Sequence, residues 1–215
     1  MEFLIVVLSC KKNRHLWDDI LKQGPNIIIF CGDEDLEQFR YENRVLHLNC
    51  NDNYEGLPEK VICMIDAVLK INIFNNFTHI IKIDDHDALI NYNRVINLSQ
   101  MYINGNDYCG FLISGMQQNG TYMKPGTFYV NRRYHFGKCS EDSQWNNKEY
   151  PGIYAPYAWG GLYILSRKAL VCINSVYSSN SKEEIRRNHI YEDLLLGLIL
   201  NRFGIMPKYI PKMIN

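Results

Sequence analysis

A short apolar segment that runs straight into a cluster of acidic residues constrains the fold of this chain most. Residues 78–91 read THIIKIDDHDALIN. Ile80, Ile81 and Ile83 predict a buried β-strand, because β-branched side chains favour strands. The acidic residues follow at the carboxyl end of that strand, which is where open α/β sheets place their ligand sites. The segment therefore predicts an α/β sheet with a ligand site at this strand end.

The acidic cluster itself indicates a divalent cation. Three carboxylates lie within four positions, from Asp84 to Asp87, and a folded protein seldom holds such a group without a cation or full hydration. Asp85 and Asp87 form a D-x-D triplet, whose oxygens in an irregular turn can bind one hard cation together with phosphate oxygens of a ligand. The alternative is a solvated Asp-rich turn, which is common after strands. Because this turn follows a buried strand and also contains His86, we expect Asp85, Asp87 and His86 to be metal ligands.

The chain before residue 91 alternates between apolar strands and helical segments. Continuous apolar runs at residues 3–8, 26–31 and 45–48 predict buried strands. Helices are expected at residues 16–21 and after Pro58, where apolar residues recur at helical spacing. This β-α-β alternation predicts a mostly parallel central sheet flanked by helices, and 215 residues suit a single domain.

The second half of the chain alternates less regularly between strands and helices and contains a long segment without apolar periodicity. We expect a helix at residues 95–102, strands at 107–114, 128–130 and 162–165, a helix from Ser166 to Ile173, a capping box of Ser181 and Glu184, and a last helix that ends at Gly204. Residues 115–154 are rich in Gly, Asn, Tyr and Lys, which is typical of a binding loop or lid. The paired glycines Gly160 and Gly161 indicate either a close approach of the backbone to a ligand or a β-bulge.

Composition limits the class of partner. The formal net charge is +0, so the chain lacks the basic excess with which nucleic-acid-binding proteins neutralise phosphates. The 15 tyrosines suit carbohydrate, although a tyrosine-rich core is the alternative. The 7 cysteines include no C-x-x-C pair, which indicates reduced thiols. No apolar run suits a membrane span or a signal peptide, so we expect a soluble, cytoplasmic protein.

Four segments resemble the motifs of one enzyme family, and they occur in the family's order. Residues 53–60 (NYEGLPEK) resemble D-x-Y-x-N-L-T-x-K, and residues 82–91 (KIDDHDALIN) resemble K-x-D-D-D-x-F-x-N. Residues 154–166 (YAPYAWGGLYILS) resemble Y-P-P-Y-x-x-G-G-x-Y-x-x-S, and residues 192–197 (EDLLLG) resemble E-D-V-x-x-G. The chain is thereby similar to the GT-A glycosyltransferases of the beta-1,3-galactosyltransferase and Fringe superfamily. A closer resemblance, to a viral glycosyltransferase domain acting on a capsid glycan, implies a viral protein in a host cell.

The resemblance implies a GT-A fold, with a nucleotide-binding half at residues 1–91 and an acceptor-binding half at residues 92–215. It implies transfer from a nucleotide-sugar donor, a UDP-sugar, to a glycan or glycoprotein acceptor. The cofactor would be Mn²⁺ or Mg²⁺. The match to the E-D motif makes Asp193 the candidate base of a single displacement that inverts the anomeric carbon. An acidic pair on the first turn of a helix is also favourable for stability alone.

The remaining site residues are assigned with the same resemblance in view. Nucleotide-binding candidates are Ser9, Arg14, Lys60 and Asp84; for Ser9 and Arg14, which follow the first strand, a solvated turn is the alternative. Lys60 would reach the diphosphate or pair with an aspartate of the acidic turn. The sugar- or acceptor-binding candidates are Tyr157, Trp159, Gly160, Gly161 and Glu192. We expect His189 to be a surface or helix-start residue.

Departures from the family pattern leave alternatives open. The acidic turn is one residue longer than usual, so the matching triplet is either Asp85 with Asp87 or Asp84-Asp85-His86. Trp159 stands where the family often has a small residue, which would reshape the sugar pocket. The competing functions are a metal-dependent phosphoesterase and a non-catalytic sugar-binding module on the same fold.

Overall fold

The computed structural model describes residues 3–113, 124, 126–129 and 131–211. Across these residues the chain forms one sheet of eight strands in the order β3-β4-β2-β1-β5-β7-β6-β8. The strands are β1 (Phe3–Leu8), β2 (Ile27–Gly32), β3 (Arg40–Glu42), β4 (Val45–Leu48), β5 (His79–Asp84), β6 (Tyr108–Ile113), β7 (Tyr157–Ser166) and β8 (Lys208–Tyr209). The helices are α1 (Trp17–Leu21), α2 (Leu57–Lys70), α3 (Asp85–Ile103), α4 (Arg167–Val176), α5 (Lys182–Asn188) and α6 (Glu192–Arg202).

Four strands of the first half of the sheet, β1, β2, β4 and β5, are parallel and largely buried on both faces, and β3 adds an exposed antiparallel edge to β4. β1 pairs in parallel with β2 and β5, and β2 pairs in parallel with β4. Alternate residues of β1 point to opposite faces, so Leu4 and Val6 pack with α2, α4 and α6, whereas Ile5 and Val7 pack with α1 and α3. The predicted α/β sheet flanked by helices is confirmed.

The second half of the sheet is mainly antiparallel. β7 pairs antiparallel with both β5 and β6, and β8 adds a short parallel pairing to β6. Between β6 and β7 the register shifts, since Gly110 faces Tyr163 whereas Leu112 faces Ala158. The extra residues of β7 form a bulge that contains Gly160 and Gly161. Bulges of this kind commonly redirect the backbone beside active sites.

Three local predictions were wrong. The acidic residues do not form an irregular turn, because α3 begins at Asp85 with Asp84 as its N-cap. The capping box belongs to Ser178 and Ser181, not to Ser181 and Glu184. Phe128 makes a single antiparallel bridge to Ile153 in place of a strand. Residues 114–123, 125 and 130, which belong to the predicted strands and loop, lie outside the described residues.

Candidate active site

Two neighbouring cavities open at the carboxyl ends of β1 and β5. Cavity A encloses about 380 Å³ between β7, the start of α6 and the side chains of Tyr129, Asn131 and Tyr134. Cavity B encloses about 340 Å³ between the ends of β1 and β5 and the start of α2. The two cavities share four lining residues, which are Leu8, Tyr54, Leu57 and Asp84. One elongated ligand can therefore occupy both, with its middle beside Asp84 and Tyr54.

Lys82 holds the floor of cavity A together. Its side chain projects from β5 and is 1% exposed. The ammonium group lies 2.6 Å from Asp84 Oδ1 and 3.2 Å from Glu192 Oε1, and it also donates to the carbonyl oxygen of Gly160. Burial alone would lower the pKa of Lys82, but the carboxylates of Asp84 and Glu192 outweigh burial and raise it. The buried ammonium group of Lys82 thus contacts β5, the β7 bulge and α6 at the same time.

The two acidic residues at the start of α6 both face cavity A. Asp193 accepts hydrogen bonds from the backbone N–H of Gly160 at 3.1 Å and of Leu194 at 2.8 Å. Burial raises the pKa of Asp193 to about 6, even though these N–H groups and Lys82 oppose the shift. Burial, against the pull of Lys82, raises the pKa of Glu192 to about 8, and its Oε2 is buried without a hydrogen-bond partner. Such shifts are typical of carboxyl groups used in acid–base chemistry.

The glycines of the β7 bulge make room for these side chains. A Cβ on Gly160 would lie 3.1 Å from Glu192 Oε1 and 3.3 Å from Asp193 Oδ2. On Gly161 it would lie 2.4 Å from the Trp159 ring. Both glycines line cavity A together with Tyr157 and Trp159, so the structure brings all five predicted sugar- or acceptor-binding residues, including Glu192, to one cavity. Of the two interpretations of the glycine pair, the bulge is observed, and the bulge itself lines the cavity.

Cavity B contains three of the four predicted nucleotide-binding residues, which are Ser9, Lys60 and Asp84. The Ser9 hydroxyl donates to Asp85 Oδ2 at 2.8 Å and accepts from Trp17 Nε1 at 2.8 Å. The structure does not bring Arg14 into either lining. Its exposed guanidinium lies 5.9 Å from the centre of the Trp17 ring.

Lys60 does not pair with the acidic turn, as one interpretation expected. Its Nζ is buried and lies 2.6 Å from Asp52 Oδ1, while the same aspartate oxygen accepts from the Gly32 N–H at 2.7 Å. Asp52 was not among the predicted site residues, although it stands at the position of the leading D in the D-x-Y-x-N-L-T-x-K motif. The pair fixes the turn before α2 against the ends of β1 and β2.

Because α3 begins at Asp85, helix geometry determines which of the acidic side chains face cavity B. Residues two apart on a helix project about 200° apart, and Asp87 is not among the residues that line either cavity. Its Oδ2 lies 3.4 Å from His86 Nε2, on the other side of the ring from Asp85, whose Oδ1 lies 3.7 Å from Nδ1. Asp85 is 5% exposed and already accepts from Ser9, from Asn13 Nδ2 at 2.8 Å and from the His86 N–H at 2.8 Å. Asp84 and His86 both line cavity B, with side chains 28% and 72% exposed. The backbone therefore favours the triplet Asp84-Asp85-His86 of the two that the sequence left open.

These residues fit a divalent cation that a ligand completes. Within the described part of the chain, no group of three or more His, Cys, Asp or Glu side chains is arranged to hold a metal. A cation that binds with phosphates, however, needs only one or two protein ligands. Asp84 offers a hard oxygen and His86 a nitrogen, a combination that suits Mn²⁺ better than Mg²⁺.

Tyrosines dominate the outer wall of cavity A. They are Tyr54, Tyr129, Tyr134, Tyr157 and Tyr191. The Tyr129 and Tyr157 hydroxyls lie 2.8 Å apart, and Tyr191 contacts the fully buried His135, with 2.7 Å between its hydroxyl and Nδ1. Nε2 of His135 lies 2.9 Å from the Lys148 carbonyl and 3.1 Å from that of Trp145. His135 thus fixes residues 131–148 onto the start of α6. Tyr54 and Tyr157 stand in the matched motifs, whereas no motif located Tyr129, Tyr134 and Tyr191.

His189 is neither a surface nor a helix-start residue. It is the C-cap of α5, and its ring lies between Tyr150 and Tyr177. Burial lowers the pKa of His189 to about 4, so its neutral form is the stable one in the fold.

None of the helices formed by the described residues is both long and apolar enough to cross a bilayer.

Comparison with known proteins yields one family. The model of the galactosyltransferase family matches residues 35–211. No curated protein matches the chain. Among solved structures, the chain is similar to 2-C-methyl-D-erythritol 4-phosphate cytidylyltransferase from Francisella tularensis, with 11% identity, TM-score 0.48, and coverage of 100% of this chain and 93% of that one.

Two further solved structures give similar values. One is a CMP:2-keto-3-deoxy-manno-octonic acid synthetase complexed with CTP, with 13% identity, TM-score 0.45, and coverage of 98% and 89%. The other is 4-diphosphocytidyl-2C-methyl-D-erythritol synthase from Anaerococcus prevotii, with 7% identity, TM-score 0.44, and coverage of 97% and 86%.

Proposed function

The chain belongs to the galactosyltransferase family, and on that premise we propose that it is a metal-dependent glycosyltransferase that moves a sugar from a UDP-sugar to a glycan hydroxyl with inversion. Family membership supports a nucleotide-sugar donor and a glycan acceptor. The UDP nucleotide, the metal and the stereochemistry are the finer parts of the proposal, and they rest on the arrangement of cavities A and B.

The observation that carries the proposal is the shared wall between the two cavities. Asp84 lines both cavities, whereas Asp193 and Glu192 line only cavity A. A nucleotide-sugar has three parts in line, and they match this layout: the nucleoside in cavity B, the sugar in cavity A and the diphosphate at the shared wall. Asp193 then faces the sugar and not the leaving group.

The proposed reaction is a single displacement. The acceptor hydroxyl oxygen bonds to the anomeric carbon while the bond from that carbon to the diphosphate oxygen breaks, and the bonding electrons leave with the nucleoside diphosphate. The hydroxyl proton passes to a carboxylate oxygen of Asp193, which the N–H groups of Gly160 and Leu194 hold in place. Attack from the side opposite the leaving group inverts the anomeric carbon, through a transition state with oxocarbenium character.

Asp84 and His86 are the proposed metal ligands, and diphosphate oxygens complete the coordination. When bound, the cation supplies Lewis-acid stabilisation to the departing diphosphate. Lys82 keeps one oxygen of Asp84 fixed, so the other oxygen has a defined direction. Asp85 holds the end of β1 against the first turn of α3 through Ser9 and Asn13, which positions both ligands.

The phosphoesterase alternative is less well supported. Such sites draw several His and Asp ligands from different strand ends, and the described residues contain no such group. The sugar-binding module keeps the cavities but needs no base, so a transfer assay separates it from an enzyme. A viral origin and a cytoplasmic location stay predictions from the sequence.

A screen of nucleotide sugars by thermal shift tests the donor and the metal together. In Mn²⁺, a UDP-sugar at about 100 times its Kd should stabilise the fold by about 2.7 kcal/mol and raise Tm measurably. In EDTA the shift should fall to a small remainder, because the two cavities together are lined by five acidic side chains, which repel a diphosphate where they are ionised. An equal shift in EDTA contradicts the metal, and no shift with any nucleotide sugar contradicts the function.

A further inference from the structure

The ammonium group of Lys138 lies beside two tyrosines of the cavity linings, although Lys138 itself lines neither cavity A nor cavity B. Its Nζ lies 3.1 Å from the centre of the Tyr134 ring and 5.6 Å from the centre of the Tyr54 ring. Both tyrosines line cavity A, and Tyr54 also belongs to the wall shared with cavity B. The ammonium group therefore lies close to two lining side chains, one of which, Tyr54, belongs to the same shared wall as Asp84.

The backbone of Lys138 is held close to this wall. Two residues further on, Ser140 donates to Glu55 through its N–H and its hydroxyl. Glu55 belongs to the same short 3-10 turn as Tyr54, directly before α2. On the other side, His135 fixes the segment to Tyr191. The backbone of Lys138 is therefore held in place on both sides, whereas the end of its side chain contacts only the two aromatic rings among the described residues.

The charges in the two cavities call for another cation. Five carboxylates line them, from Asp52, Asp84, Asp85, Glu192 and Asp193, against the ammonium groups of Lys60 and Lys82. Both lysines are already paired, Lys60 with Asp52 and Lys82 with Asp84 and Glu192. Even with Glu192 protonated, four carboxylates face two ammonium groups. A diphosphate that enters therefore meets excess negative charge, which one divalent cation does not fully offset.

Lys138 is suited to supply that charge. Among the described residues, no carboxylate lies within 4.0 Å of its Nζ, and two aromatic rings are its observed contacts. Cation–π contacts at exposed sites are weak, so the ammonium can leave the rings for a phosphate at small cost. A charge-assisted hydrogen bond to a phosphate oxygen is worth more.

We propose that Lys138 binds the diphosphate of the donor, moving from the Tyr134 and Tyr54 rings onto phosphate oxygens at the shared wall. The proposal rests on the proposed function and adds to it a binding residue from the segment that covers the cavities. Lys138 makes no bond to the reacting carbon, and its role is to hold and partly neutralise the leaving group.

Calorimetric titration of UDP in Mn²⁺ tests the proposal with Lys138→Met and Lys138→Arg. Loss of the ammonium should weaken UDP binding at least about tenfold, since a hydrogen bond to a charged group contributes about 1.5–3 kcal/mol. Arginine keeps the charge and should restore most of the affinity. For UMP, which has one phosphate fewer, Lys138→Met should weaken binding less than it does for UDP.

Lys148→Met is the matched control. Lys148 lies in the same segment and stacks on an aromatic ring in the same way, 4.6 Å from the centre of the Trp145 ring, but Trp145 lines neither cavity. It should bind UDP as the wild type does. Wild-type affinity in Lys138→Met overturns the proposal, and so does a rise in the acceptor KM alone, which would place Lys138 on the acceptor. If the wild type itself binds no nucleotide, the proposed function fails first.

Discussion

Asp193 shows how burial and backbone contacts set the chemistry of one residue. Its carboxylate is fixed by two backbone N–H groups, one from the β7 bulge and one from its own helix. Burial nevertheless raises its pKa to about 6. A base with a pKa in this range is mostly ionised at neutral pH yet holds a proton far better than an ordinary aspartate, which is what general-base catalysis requires.

The pH profile of kcat/KM tests this role. A base must be unprotonated to act, so kcat/KM should rise about tenfold per pH unit below pH 6 and level off above it. Asp193→Asn should keep UDP affinity but lose roughly 10²–10⁴-fold in turnover. Asp19→Asn, which removes an exposed carboxylate outside both cavities, is the control. A flat wild-type profile, or turnover that survives in Asp193→Asn, would place the base elsewhere.

At the scale of elements, the start of α6 and the segment from residue 131 to 148 act as one unit through His135. The imidazole is fully buried and contacts the Tyr191 hydroxyl and two backbone carbonyls. Nε2 can meet the two carbonyls only as a donor, because carbonyl oxygens only accept. The Tyr191 hydroxyl lies 2.7 Å from Nδ1 and 3.1 Å from the Asn131 carbonyl oxygen. Tyr191 directly precedes Glu192 and Asp193, so this contact also orders the acidic pair.

His135→Phe should loosen that unit while keeping a ring in the cluster. Three polar groups lose a buried partner, so the free energy of unfolding should fall by about 3 kcal/mol and Tm by roughly 6–12 °C. Trypsin should cut within the segment faster, because it contains Arg132, Arg133, Lys138 and Lys148. His15→Phe, at an exposed position, provides the control. Unchanged Tm and digestion rates would show that the segment is held by other contacts.

The same elements show what sequence could predict. The buried strands and the approach of three distant segments, which bring Lys82, Gly160 and Asp193 together, followed from apolar runs and motif order. The start of α3 did not, because acidic residues that repel in a turn also stabilise a helix N-terminus, and here the second effect wins. The contacts of His135 and Lys138 were beyond prediction, since they join residues far apart in a segment without periodicity.

At the scale of the whole molecule, the candidate active site lowers the free energy of unfolding at neutral pH. Glu192 is buried with one oxygen unpartnered, and burial raises its pKa from 4.5 to about 8. A carboxyl group whose pKa is raised by folding contributes stability that is present below pH 4.5 and lost as the pH rises towards 8. The protein therefore bears a cost at neutral pH for keeping this carboxyl group at the floor of cavity A, a trade-off known between function and stability.

Glu192→Gln should remove that cost, because glutamine resembles the protonated form at every pH. Denaturation in urea with EDTA present should show equal stability of the two proteins near pH 4.5, and a growing advantage of the variant that reaches at most about 4 kcal/mol at pH 8. His189→Gln is a comparison variant for which stability should depend on pH in the opposite direction. Its histidine has a pKa lowered from 6.5 to about 4, so the wild type loses stability from this group as the pH falls, and that variant should gain only in acid. A constant difference between Glu192→Gln and wild type across the range would mean that Glu192 does not titrate there, and that Lys82 keeps it ionised in the fold.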